Sequence, residues 1–545
     1  MKKIFLLMVL ILLPVFSFGV TVTVDSTQPE SAGVNYQTIG AALTYVKALA
    51  EPRIVNIIAG GPYSEATGIE LNYSVTLQGF GYKPLLICGP TNTAGVSASN
   101  KSNGIYIFVL SSAPADTHIA VILKNFIIIP NKTTTPSYHG IRSNTDATGL
   151  SATATMDIEI SDVVVTANDG TDQPVTTDGF TPSTAPVGTK YFGQGSTGRG
   201  IYLSGHINNL SLTQNVICSW NYCDGCCIYP DDYTGRTLFN ENIIGPGCIF
   251  SYNGRNGIYV NSDGTPDTFN GTAEKPIWIY RNRKASIGYG NWQGALGIWH
   301  DDNNRPEAII TLNYVNIVEN DELGIHTGYT DNAQSLPALN ANHCFIANNN
   351  GPAIYLSAEL AGAGSPTGAS EFLRDWTFTN CTIANNKHQS PAEGATTGGD
   401  RTITGPLSVV SAAFASTPTG IFIFNDCIVA GKGSADSAGD NTFNIQKDNL
   451  PALEFNYCGI VLAGIYALSG DGFNLIGGAP TPVKNNVINA NPSFLDEGDP
   501  FSENFYAVNA WDYAAKGSGG SNLSGAGKFV AVEPSIVSSP WQLYQ

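Results

Sequence analysis

Apolar and polar residues alternate along this chain in short bursts without the spacing of an amphipathic helix, and the bursts repeat. Six nine-residue windows show the pattern: "LKNFIIIPN" from Leu123, "ISDVVVTAN" from Ile160, "TQNVICSWN" from Thr213, "LNYVNIVEN" from Leu312, "ANHCFIANN" from Ala341 and "FTNCTIANN" from Phe378. "FNDCIVAGK" from Phe424 and "FNYCGIVLA" from Phe455 follow it less closely. The fourth position holds Phe126, Val163, Val216, Val315, Cys344, Cys381, Cys427 and Cys458, and the sixth holds Ile128, Val165, Cys218, Ile317, Ile346, Ile383, Val429 and Ile460. Both columns are predicted to face a core. The third position (Asn125, Asp162, Asn215, Tyr314, His343, Asn380, Asp426, Tyr457) is predicted to face water, as the period of two in a half-buried strand requires. Asn131, Asn168, Asn221, Asn320, Asn349 and Asn386 fill the ninth position, and Asn tolerates a left-handed backbone, so a stacked Asn at a tight bend of each coil is expected.

A second strand recurs after the bend: "GIYL" at Gly200, "CIYP" at Cys227, "GIYV" at Gly257, "GIWH" at Gly297, "GIHT" at Gly324 and "AIYL" at Ala353. Each repeat is thus predicted as strand, Asn turn, strand and a loop of variable length. Such units cannot bury their own apolar faces and must stack as a solenoid. About ten coils at a parallel-strand spacing of ~4.8 Å give a body ~50 Å long. A leucine-rich repeat would need regular leucines and a near-constant period, and the chain has neither.

The pattern resembles the right-handed parallel β-helix of the pectate-lyase-like superfamily over nearly all of the chain after its first residues. "YQTIGAALTYV" (36–46), "IVNIIAGGPYSE" (54–65) and "VTLQGFG" (75–81) are similar to the opening of such proteins, a short helix capping the first coil. "NANPSFLDEGD" (489–499) resembles the stretch that often closes them. The resemblance implies an all-β fold, a single right-handed parallel β-helix with an N-terminal capping helix. One scaffold in this superfamily serves lyases, hydrolases, esterases, epimerases, tailspikes and adhesins, so it fixes no single activity.

Composition supports the fold and narrows the partners. Charged residues make up 13% of the 545, while Gly reaches 59 and Pro 30, a balance that favours short strands and turns over helices. A formal net charge of −18 argues against nucleic acid or an anionic membrane as partner. Lys2 and Lys3 precede an apolar run from Ile4 to about Phe18, followed by small residues near Gly19, the layout of a signal peptide. The expected organisation is a signal peptide over 1–19, the cap and first coils over 20–90, the β-helix body over 91–488 and a closing segment over 489–545. Export to the cell surface or medium follows, with no membrane span.

Ten cysteines in an exported chain invite a disulfide reading. Cys344, Cys381, Cys427 and Cys458 share one inward column, and side chains stacked on adjacent parallel strands lack the geometry of a relaxed disulfide. A buried, reduced stack is expected. "CDGCC" (223–227), with Cys218 and Cys248 nearby, leaves three alternatives: a local disulfide through Cys223 or Cys226, free thiols, or a metal site, with Cys218 and Cys227 assigned to inward columns.

Chemistry is expected on the second strand. Tyr202, Tyr229, Tyr259, Trp299, His326 and Tyr355 follow its inward apolar residue and form an outward stripe, one per coil. Aromatic faces pack against the C–H faces of sugar rings, or else such a ladder packs beneath loops. Beyond the stripe, "YPDDYTGR" (229–236), "YVNSDG" (259–264) and "WHDDNNRPE" (299–307) place Asp231 and Asp232, Asp263, and Asp301 and Asp302 at corresponding positions, two coils or ~9.6 Å between the outer pairs. That separation suits an acid and base flanking a water, with His300 or Arg305 completing the group. Asp231, Asp232 and Asp263 equally suit Ca²⁺, and Arg255 and Arg281 suit substrate binding. The alternative for each acid is a turn residue capping backbone amides. "GIWHDDNNRPE" has a passing likeness to pectate-lyase signatures, "DD" at 231–232 to the paired acids of polygalacturonases, and "YPDD" to the motif of alginate epimerases, each with order or companions changed. Two functions follow: a secreted protein that binds and depolymerises a polysaccharide by elimination or inverting hydrolysis, or a non-catalytic adhesin or structural rod that holds a cell-surface glycan.

Overall fold

The computed structural model describes residues 19–58, 61–89, 103–114, 116–130, 139–144, 153–166, 198–221, 223–230, 242–261, 267–282, 294–300, 309–320, 323–329, 338–349, 353–357, 375–384, 386, 407–410, 420–430, 444–446, 452–461, 474–476 and 483–485. Their strands form three long parallel sheets of fifteen, twelve and ten strands. Neighbours in space are mostly third neighbours in sequence, so one coil is three strands: His118–Lys124 in the first sheet, Ile127–Pro130 in the second, His139–Asn144 in the third. The chain is a right-handed parallel β-helix, as the repeat pattern predicts. Ten coils have a strand in the third sheet, and two further coils send theirs, Asn444–Gln446 and Asn474–Ile476, into a separate pair.

The structure corrects the corners. The third-position residues do not lie within a strand facing water. They turn the chain from the first sheet into the second, with φ between 48° at Asn215 and 55° at Asn125 and Asp162, and Tyr314, His343, Asn380, Asp426 and Tyr457 inside that range. One left-handed residue bends the chain sharply while keeping the alternation on either side, which is why the sequence pattern runs through the corner unbroken and three strands were counted as two. Main-chain bonds to the next coil stabilise the bend, as in His343 N–H to Thr379 O at 3.0 Å.

The ninth-position asparagines are stacked as expected, but none has a positive φ among the described residues. The left-handed residue stands one place earlier, at Trp220, Tyr252, Arg281, Glu319 and Asn348. Asn221, Asn253, Asn282, Asn320, Asn349 and Asn386 are instead buried in a continuous ladder. Each rung satisfies itself: Asn282 Oδ1 accepts the main-chain N–H and Nδ2 of Asn253 at 3.1 and 2.9 Å, while Asn282 Nδ2 donates to Asn320 Oδ1 at 3.0 Å and Phe250 O at 2.9 Å. Every polar atom of the amide is used, as burial demands. Asn131 and Asn168 lie outside the described residues.

The fourth and sixth columns are buried where described, and Phe378, Phe424 and Phe455 stack at 5.0 and 4.9 Å within the core. Cys344, Cys381, Cys427 and Cys458 form the expected inward stack, each Sγ donating to a carbonyl of the preceding coil, such as Cys344 to Leu312 O at 3.4 Å. All ten cysteines are free and buried, including Cys223, Cys226 and Cys227. Of these it is Cys226, paired with Ile201 and Ile258, that faces the core; Cys227 pairs with Tyr202 and Tyr259 on the outward side, contrary to the assignment from sequence. Burial raises the thiol pKa of Cys248 and Cys227 to about 12. Native protein is therefore expected to leave an aromatic disulfide reagent unreacted, and denatured protein to release colour equivalent to ten thiols. Fast native titration of any thiol would contradict this packing.

The helix Ile39–Lys47 caps the first coils, burying Ile39, Ala42, Leu43 and Val46. Its first amides are held by Glu65, whose carboxylate accepts from Ile39 N at 2.6 Å and Gly40 N at 3.3 Å, and Thr38 Oγ1 accepts from Ala41 N. Among the described residues no helix is long and apolar enough to cross a membrane. The expected signal peptide, but for Gly19, and the closing segment 489–545 lie outside the described residues.

Candidate functional site

The three sheets present different outer faces. On the second, the outward row of Leu85, Ile127, Val164, Ile249, Trp278, Asn316, Phe345, Thr382 and Ile428 is buried and Ile217 half-buried, so among the described residues it offers little surface. The first carries short polar groups that bond to one another, such as Asn456 Nδ2 to Asn425 Oδ1 at 2.9 Å and Asn485 Nδ2 to Asn456 Oδ1 at 2.7 Å. Among the described residues, the third combines outward aromatics with guanidinium groups, in Tyr106, Arg142 and Tyr202.

The register of the third sheet splits the expected stripe into two files. Tyr106, Arg142, Tyr202, Cys227, Tyr259, Gly297, His326 and Tyr355 occupy one. Two residues further along each strand, Ser204 pairs with Tyr229 and Asn261 with Trp299. Tyr229 and Trp299 therefore do not continue the row of Tyr202 and Tyr259. A slip of two residues leaves a side chain on the same face, so alternation alone could not detect it. Tyr202, Tyr229 and Tyr259 are half-buried on this face.

Glycine sets the true register. Gly225 follows ladder Asn221 by the same interval as Gly257 follows Asn253 and Gly324 follows Asn320. A Cβ on Gly225 would stand 2.5 Å from Asn253 Nδ2 and 2.6 Å from Gly257 O, so the ladder and the next coil exclude any side chain there. Aligning on "G" after the ladder Asn, instead of on "IY", would have placed Cys227 beside Tyr259; in the next coil Ala295 holds the place of the glycine, so that rule does not reach Gly297.

Immediately before these glycines runs a third file, His139, Arg199, Asp224 and Asn256, one per coil. Asp224 is 1% exposed. Its Oδ2 accepts from Arg199 Nε at 2.8 Å, and its Oδ1 accepts from Asn256 N and Nδ2 at 3.2 and 3.0 Å. Arg255 Nε stands 3.9 Å from Oδ1, and Arg255 Nη1 donates to Cys223 Sγ at 3.6 Å. Burial opposes the charge of Asp224, yet the guanidiniums of Arg255 and Arg199 and these hydrogen bonds together hold its pKa below the ordinary value of 3.8. Burial pushes Cys223 up to about 11 despite the same guanidiniums, so it is a thiol. Burial, then Arg142 and Arg199, lower His139 well below 6.5, so it is neutral at pH 7. Arg199 and Arg142 lie over the Tyr202 ring at 4.4 and 5.1 Å, with the His139 ring 5.1 Å away. The cluster is thus a rigid floor of stacked rings and guanidiniums.

Of the residues named from sequence, Tyr202, Tyr229, Tyr259 and Arg255 come together on this face. Arg281 does not join them: it sits at the corner between the second and third sheets, its Nε 2.6 Å from Glu319 Oε2 and its Nη1 2.8 Å from Tyr252 OH, and Tyr252 stacks on Trp220 at 4.5 Å. His300, Trp299, Tyr355 and His326 have described backbone only. Asp231, Asp232, Asp263, Asp301, Asp302 and Arg305 lie outside the described residues. Asp224, Arg199, Arg142 and His139 were missed; Asp224 stood in plain view within "CDGCC", which drew attention to its cysteines. Among the described residues no group of three His, Cys, Asp or Glu side chains is placed to hold a metal ion.

Comparison with protein-family models and with curated proteins found no match. Among solved structures, the A-module of mannuronan C-5 epimerase AlgE4 from Azotobacter vinelandii aligns at 11% identity and a TM-score of 0.42, over 82% of this chain and 93% of that one. Tailspike protein 3 of bacteriophage CBA120 aligns at 9% and 0.31, over 80% of this chain and 56% of its own. DFA-IIIase of Arthrobacter chlorophenolicus A6 aligns at 9% and 0.32, over 87% and 86%. At such identities and scores the likeness says nothing of activity. What this chain shares with them is the fold its own strand pairing establishes, the right-handed parallel β-helix.

Proposed function

We propose that the outer face of the third sheet binds a polysaccharide, and that acids on the connections leaving it depolymerise the bound chain. The observation that carries the binding half is the floor itself: half-buried tyrosines in two files, with Tyr202 stacked against two guanidiniums and fixed in place. Rings held in position by neighbours bind a sugar face without losing rotamer freedom, and their hydroxyls remain as polar handles. The strands of this sheet lead into the segments holding Asp231, Asp301, Asp302 and Arg305, which the reading assigns to acid–base chemistry, with His300 at the last position of strand Gly294–His300. Asp231, Asp232 and Asp263 are the ligands this reading would give a Ca²⁺ ion.

A panel of neutral and acidic polysaccharides tests both halves. Binding is expected for at least one, and Tyr259→Ala should weaken it by about threefold to tenfold while leaving the fold intact. Equal binding by Tyr259→Ala and wild type would remove this face from consideration. Turnover is followed by ultraviolet absorbance of an unsaturated end for elimination and by new reducing ends for hydrolysis. Asp301→Asn is expected to abolish it with little change in melting temperature, since surface loop substitutions usually stay within about 0.5 kcal/mol. Binding without any turnover would leave the adhesin reading in its place.

A further inference from the structure

Asp224 is flanked by two guanidiniums, and neither is fully engaged by the protein. Arg199 commits Nε to Oδ2 at 2.8 Å and lays its plane over Tyr202. Among the described residues the Arg255 guanidinium makes a single hydrogen bond, to the Cys223 sulfur at 3.6 Å, and its buried Nε, 3.9 Å from Asp224 Oδ1, meets no acceptor within hydrogen-bond distance. Their side chains are 12% and 17% exposed, so water reaches little of either. Asp224 cannot serve further, because Oδ1 already accepts twice from Asn256 and Oδ2 also receives the Cys223 thiol at 3.5 Å. His139 and Cys223 are neutral neighbours, so two cations share one anion inside a protein whose formal charge is −18.

A guanidinium has five donors in a planar fork that matches an oxyanion, and donors left unfilled in a desolvated site are costly. Tyr202 lies on the strand Ile201–Gly205 just after Arg199 and Tyr259 on the strand Ile258–Asn261 just after Arg255, so the unfilled donors border the aromatic floor. Resting on the glycan-binding reading, we propose that Arg199 and Arg255 form an oxyanion subsite that receives a charged substituent, a carboxylate or a sulfate ester, of the bound polysaccharide. Asp224 acts as its positioning residue, holding both guanidiniums at fixed orientation.

The test uses the full chain with sulfate and acetate as probes, titrated against chloride at constant ionic strength and followed by thermal shift. Wild type is expected to show saturable stabilisation by at least one ion. Arg255→Gln should weaken that binding by about tenfold or more, and Arg255→Lys, which keeps the charge but loses the fork, should fall between. Lys124→Gln, a surface charge on the first sheet, should change nothing. Preference for acetate over sulfate identifies a carboxylate substituent, and the reverse a sulfate ester. No saturable response, or equal responses from wild type and both Arg255 variants, overturns the subsite. The two readings fail separately: ion binding through Arg255 with no glycan bound in the panel removes the glycan, whereas equal affinity of wild type and Arg255→Gln for neutral and acidic glycans removes the subsite alone.

Discussion

Asn282→Ala is expected to destabilise the protein by about 3 kcal/mol or more, since each buried polar group left without a partner costs roughly 1–3 kcal/mol. The truncation orphans the main-chain N–H and one Nδ2 hydrogen of Asn253 on one side and removes the side-chain donor to Phe250 O on the other, while Asn320 Oδ1 keeps the main-chain N–H of residue 282. No water can substitute, because Asn253 and Asn320 are 0% and 2% exposed. Asn456→Ala is the matched control. It breaks a ladder of similar side-chain spacing, Asn485 to Asn456 at 2.7 Å and Asn456 to Asn425 at 2.9 Å, on a half-exposed face, and should cost under about 0.5 kcal/mol because solvent replaces the lost amide. Chemical denaturation of the two variants and wild type measures both. Equal losses would mean that the inner ladder is packing and not hydrogen-bond satisfaction.

Asp224→Asn should be comparably severe, about 3–5 kcal/mol, because it leaves two largely buried guanidiniums without their counter-ion. Its pH dependence separates charge from packing. Asp224 has a folded pKa below its ordinary 3.8, so the stabilisation is fully present above that value and lost as pH falls through the lower, folded one. The gap between wild type and variant is expected to be constant from about pH 8 to 5 and to close below about pH 4. A gap that persists unchanged into acid would show that the amide fails for steric reasons. Asp224→Asn also reports on function, since losing the Asp224 carboxylate should free Arg199 and Arg255 to move and weaken the oxyanion subsite even in protein that remains folded.

Much of the fold was legible because a solenoid writes the same physical requirement once per coil. The inward columns headed by Phe126 and Ile128 recur eight times in sequence, and every described member is buried. The coils of Cys248 and Ile277 escaped notice because Gly-Pro-Gly at 245–247 and the six residues 271–276 replace the single left-handed residue, although "IFSYN" and "IWIYRN" carry the ladder asparagines Asn253 and Asn282. The site was less legible. Its aromatic members were found because outwardness follows from a period of two, but Arg199 and Asp224 meet only when coils stack, across 25 residues of sequence.

By itself the sequence determined the class of object: alternation, a repeat without helix spacing and a column of small buried thiols admit little besides a parallel β-solenoid. Only the tertiary structure decided the register between coils, because a two-residue slip changes no side chain's face and costs nothing that a single strand can feel. It took the ladder amides and the carbonyl of the next coil, crowding Gly225 to 2.5 and 2.6 Å, to forbid the alternative. The charge states of the floor were decided the same way. Asp224 stays ionised because the guanidiniums of Arg255 and Arg199, brought from neighbouring coils, outweigh its burial, and His139 stays neutral chiefly because stacked coils exclude water, with Arg142 of its own strand and Arg199 adding to the effect.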